Sequence, residues 1–123
     1  MARTDVTSTK RVPNSSIVEP TGTTIDATLV TNGVRIVSPD WRSMEIIVAN
    51  TAGADKVVTI QSGDSLGGAI KESQGDLTVT VVATTGIRRI GPLESSRFSQ
   101  ADGSCWVDFG AGTTGTIKVV QLP

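Results

Sequence analysis

Leu77, Val79 and Val81 alternate with Thr78 and Thr80, and short runs of the same kind recur along the chain with turn residues between them. A period of two puts alternate side chains on opposite faces of a strand, so one face of every run has to be covered by another element. That requirement leaves packed sheets and excludes a helical bundle. Composition agrees: thirteen glycines, many threonines and valines, and neither tyrosine nor histidine suit short strands and turns, whereas helices favour Ala, Leu, Glu and Lys. With 123 residues there is room for one domain and one core, burying roughly 60–70% of the unfolded surface.

The runs can be placed one by one. Thr24 to Val30, the dipeptide Asn32-Gly33 and Val34 to Val37 predict a first hairpin, since Asn-Gly favours a tight two-residue turn. After the break at Pro39-Asp40, Met44, Ile46 and Val48 share one strand face and Ile47 takes the other. A turn over 51–55 leads into Lys56 to Gln61, and residues 62–76 form a longer loop with a short apolar contact expected at Leu66 to Ile70. Residues 77–83, 87–90, 96–100, 105–109 and 116–122 complete about eight or nine strands at the spacing of an antiparallel β-sandwich or β-barrel, with no helix beyond one or two turns. The expected fold is therefore all-β, a single antiparallel β-sandwich or barrel over residues 23–123.

Residues 1–22 are read as an extended N-terminal arm. Up to Pro20, Val6, Val12, Ile17 and Val18 are the only sizeable apolar residues after the initiator, scattered among Thr, Ser, Asn and Pro. Such a segment cannot offset its own ordering entropy. Fully extended, twenty residues reach about 66–72 Å, at ~3.3–3.6 Å each, far enough to touch a neighbour. The arm is expected to pack on another subunit or partner rather than fold back as an edge cover. With a core expected to begin near Ile25, deletion of residues 1–20 should leave the domain folded.

Catalytic chemistry finds little to work with. The absence of histidine removes Ser-His-Asp and Cys-His arrangements and histidine-based metal sites. Cys105 alternates with Val107 and Phe109 and reads as a small buried group; as the single cysteine it forms no intrachain disulfide. Asp55, Asp64, Asp76 and Asp102 sit in turns or beside glycine, where aspartate bonds its own backbone. Asp64, Glu72 and Asp76 crowd one loop but lack the spacing of a calcium-binding loop, and SGDSLGG lacks the Gly-Lys-Ser/Thr ending of a phosphate loop. The expectation is a chain that is not an enzyme and takes no cofactor or metal.

A formal charge of −1 gives no field suited to nucleic acid or an anionic membrane. The longest uninterrupted apolar run, Ile46–Ala49, is far below the ~18 residues of a membrane span, and no apolar run follows the basic residues at the start, so neither a cleaved signal nor a segment embedded in lipid is expected. Asn14-Ser15-Ser16 matches a glycosylation sequon, which means little without such a signal. Arg88, Arg89 and Arg97 make a modest basic cluster, expected to be solvated or paired with Glu94. Trp41 follows a turn, and Trp106 points outward if Cys105, Val107 and Phe109 point inward. Each is a cover for an arm or edge, or an anchor for a partner. The candidate partner-binding residues are thus Val6, Arg11, Val12, Ile17, Val18, Trp41 and Trp106.

The stretch GPLESSRFSQADGSCWVDF (91–109), together with the MART opening, PTGTTID (20–26) and VANTAGADKVVTIQSGD (48–64), resembles small capsid decoration, or cement, proteins of tailed phages that infect actinobacteria. The resemblance covers most of the chain. It implies a jelly-roll-like sandwich or barrel, made in the host cytoplasm and sited on the exterior of the virion. There it would contact the major capsid protein and its own copies, as a homotrimer around a local threefold position, bridging capsomers against internal DNA pressure. The alternatives are a tail or head-fibre accessory protein of the virion and a carbohydrate-binding module, the latter because sugar sites use aromatic platforms.

Overall fold

The computed structural model describes residues 3–63 and 75–122. Within them the chain is mostly strand: β1 (Thr4–Val6), β2 (Thr9–Lys10), β3 (Thr23–Ile25), helix α1 (Ala27–Asn32), β4 (Val34–Ile36), β5 (Met44–Asn50), β6 (Lys56–Ile60), β7 (Leu77–Val81), β8 (Ile87–Ile90), helix α2 (Ser95–Phe98), β9 (Cys105–Phe109) and β10 (Gly115–Gln121). One sheet has the order β1-β4-β9-β6-β7 and the other β2-β10-β5-β8, with β3 beside β2 along the same edge of β10. The expected loop contact at Leu66 to Ile70 lies outside the described residues.

The period-two reading translates directly into the core. Met44, Ile46 and Val48 of β5, Ile117 and Val119 of β10, Val58 and Ile60 of β6, and Cys105, Val107 and Phe109 of β9 are buried in one apolar cluster to which both sheets contribute. On β7, Thr78 and Thr80 are exposed while Val81 is buried and Leu77 and Val79 pack against the cluster. Ile47, on the opposite face of β5, is buried as well, opposite Lys118 and Arg89 on the flanking strands. Asn50, at the end of β5, is buried and fully bonded. Its amide nitrogen donates to Ala54 O at 3.1 Å and Val81 O at 3.0 Å, and its side-chain oxygen accepts from Ala52 N at 2.9 Å. This side chain ties the second sheet to β7 of the first.

Four expectations are corrected. The sheets are mixed rather than antiparallel, because β1 joins β4 and β2 joins β10 in parallel. A segment that arrives through a long connection, without a hairpin, is free to add in either sense. Nor is there a closed barrel among the described residues: the two sheets are separate, with β7 and β8 as edges.

The Asn32-Gly33 hairpin does not form. Asp26 caps α1 by accepting from Leu29 N at 3.0 Å, and Gly33, at φ 80°, ends it with its N–H on Leu29 O at 2.8 Å. The dipeptide serves as a helix stop, where glycine supplies the positive φ. Residues 96–100 are not a strand either. Arg97 N and Phe98 N both donate to Glu94 O at 3.1 Å, and the turn of α2 drives Phe98 into the core. No helix among the described residues is long and apolar enough to cross a membrane.

Candidate functional site

Arm residues 3–10 lie on the chain's own sheets. Thr4 N donates to Gly33 O and Val37 N to Val6 O, both at 3.1 Å, so β1 extends the first sheet. Two residues later β2 extends the second, and Arg11 N donates to Gln121 O at 2.8 Å. Val6 is only 5% exposed and belongs to the core cluster. It is therefore withdrawn from the candidate partner surface, and the core starts at Val6 rather than near Ile25.

Polar groups on the outer face of the first sheet fasten this clasp. Arg3 Nη1 meets Asp108 Oδ1 at 2.8 Å, while Gln61 Nε2 donates to the other oxygen of Asp108. The guanidinium of Arg3 also lies 4.4 Å from the centroid of the Trp106 ring, a cation–π contact. Arg35 donates to both carboxylate oxygens of Asp5, at 2.8 and 3.0 Å, and to Asp102 Oδ2 at 3.1 Å. Gly33 leaves the room: a Cβ there would run into Arg3 Nη1 and Asp108 Oδ1. The hydrogen bond from Arg35 holds the Asp5 carboxyl below its ordinary value, and Asp102 is lowered first by the Ser104 hydroxyl and backbone N–H and then by Arg35. Farther along, the Lys118 ammonium donates to Glu19 and lowers it too.

Trp106 points outward as expected, but it is half-buried beneath Arg3, with its Nε1 donating to Ser104 Oγ at 3.1 Å. Of the two readings of Trp106, the structure favours the cover for an arm, here the chain's own, over the open anchor for a partner. Trp41 is half-buried against the core and lines a separate groove of about 520 Å3 with Arg42, Pro92, Leu93, Glu94, Ser95 and Ser96.

The remaining candidates sit on the connector between β2 and β3. Arg11 is exposed, Val12 is 60% exposed, Ile17 37% and Val18 91%. Arg11 and Val12 face Leu122, itself 50% exposed, across an open concavity of about 510 Å3. The structure therefore groups Arg11 and Val12, keeps Ile17 and Val18 on the same segment, and sets Trp41 and Trp106 elsewhere. Reasoning from sequence missed Arg3, Asp5, Arg35, Asp102, Asp108 and Leu122. The alternating signs of Arg3, Asp5 and Lys10 in so polar a segment were the available hint.

Other groups flagged by sequence have structural partners. Asp76 Oδ1 accepts from Ser62 N at 2.7 Å and Ser62 Oγ at 3.0 Å, while Asp64 and Glu72 lie outside the described residues. Arg89 pairs with Glu45 at 3.0 Å, Arg88 Nε donates to Thr80 O at 3.2 Å, and Arg97 Nε to Gly75 O at 3.3 Å. Cys105 is fully buried, and desolvation pushes its thiol up to about 12. Among the described residues no cluster of three carboxylate, cysteine or histidine side chains is arranged to hold a metal. In comparisons with known proteins, no family model matches the chain, and no curated protein or solved structure matches it.

Proposed function

We propose that this chain is a structural protein of a phage virion, one that binds the outer surface of the assembled capsid and strengthens it by bridging major capsid protein subunits. In this reading the two sheets are a jelly-roll-like sandwich, the part of the N-terminal arm after Lys10 is its attachment segment, and three copies gather at a local threefold position. The observation that carries the proposal is the uncovered connector. Val12, Ile17 and Val18 stay exposed on one segment, and Val12 lines a concavity together with exposed Leu122; adjoining apolar exposure of this kind supports an interaction surface. Weak contacts of that size suit a protein bound at many equivalent sites, where attachment gains from multiplicity.

The test mixes purified protein with capsids that lack it. Saturable, stoichiometric binding that raises the temperature of capsid disruption is the expected outcome, and Val12→Ser with Val18→Ser should weaken it at least tenfold. Absence of binding to the cognate shell removes the reading. The groove at Trp41, with Glu94, Arg42 and two serines on its walls, supports a second reading as a glycan site. That reading requires glycans, rather than capsids, to shift the Trp41 fluorescence.

A further inference from the structure

We propose that residues 3–10 form an exchangeable clasp, able to leave their own chain and dock in the same register on a second copy. Such an exchange is separate from capsid attachment and requires no shell. Its first support is that the docking site and its occupant are both visible: β1 on the edge of β4, β2 on the edge of β10, Arg3 against Asp108 and Trp106, and Asp5 against Arg35. All of these contacts join the arm to the body, so a second body offers the arm the same set. Exchange of identical elements conserves native contacts and is a low-cost route to association.

The second support is the length of the tether. Lys10 lies opposite Gln121 and Thr23 opposite Ile117 on the same edge of β10, which sets the ends of the connector about 13 Å apart at ~3.3 Å per strand residue. Residues 11–22 can extend over roughly 43–47 Å at ~3.3–3.6 Å per step, about three times the closing distance. Once Lys118 releases Glu19 and Pro20, a tether with that slack restrains the arm only through an effective concentration on the order of millimolar. Dilute chains therefore close on themselves, and chains crowded to millimolar local concentration trade arms. Val12, Ile17 and Val18 are the residues that self-closure leaves bare.

The experiment uses the full chain. One preparation carries Lys10→Cys and a mass tag, the other Gln121→Cys; these positions face each other in the parallel pair, within reach of a disulfide, and the native Cys105 is buried. The two are unfolded, mixed, refolded together at about 10 µM and about 1 mM, spanning the effective concentration of the tether, and then oxidised. The expected result is a mixed disulfide dimer that grows at least tenfold between the two concentrations, while a doubly substituted chain at low concentration closes within itself. No mixed dimer at the higher concentration, or no closure in the doubly substituted chain, overturns the proposal. A second variant lacks residues 12–21. Its remaining three steps span about 10 Å, too short for self-closure, so it is expected to elute as a dimer at micromolar concentration. A folded monomer overturns the proposal equally.

Discussion

Asn50 shows how one side chain can hold two sheets in place. It is buried, yet its amide is consumed by carbonyls of the 51–55 turn and of β7, and removing it takes that donor from the buried bond to Val81 O. A buried group left unsatisfied costs about 1–3 kcal/mol. Asn50→Ala should lower the urea-unfolding free energy by about 2 kcal/mol with little change in the slope; a neutral substitution would mean that water reaches the site. The same scale shows why some residues were readable in advance and others were not. The alternation of Leu77, Val79 and Val81 depends only on near neighbours, so its faces follow from the string of letters. Asn32-Gly33 is equally local, but the dipeptide suits a hairpin turn and a helix stop alike. The deciding partner is Asp26, three residues before the Leu29 N–H that it caps.

Among elements, β1 and β2 are the ones that sequence patterning could not reveal. They are three and two residues long, and their partners lie thirty and more than a hundred positions away, so no local period betrays them. The arm thus became part of the fold that sequence had assigned elsewhere. Val6→Ala removes two buried methyl-sized groups at ~0.8 kcal/mol each plus a cavity, about 2 kcal/mol in all. Deletion of residues 1–10 should cost at least as much, measured by urea unfolding. A deletion that leaves stability intact would return the arm to a purely external role.

The clasp also has a pH signature. Asp5, Asp102 and Glu19 are lowered from ordinary values of 3.8, 3.8 and 4.5. Groups with depressed folded-state values stabilise fully above their unfolded values and lose that contribution as pH falls through the folded ones. Protection of the Thr4 and Arg11 amides from hydrogen exchange, corrected for the intrinsic rate, should therefore be level from pH 5 to 8 and weaken below about 4.

For the molecule as a whole, the two sheets share one core cluster, and Cys105 lies inside it on β9, between β4 and β6. Its thiol, raised to about 12 by burial, remains protonated in the folded chain where an unfolded chain starts to ionise near 9. The folded state then binds the extra proton, so stability declines as pH rises from 9 towards 12, a slope that Cys105→Ala should flatten. A sulfur sealed this deeply has another use. Reagents in solution meet it only when the sheets part, so each modified molecule records one breathing event. The rate at which a bulky thiol probe marks this chain is thus an internal clock for its opening, running with no label attached beforehand.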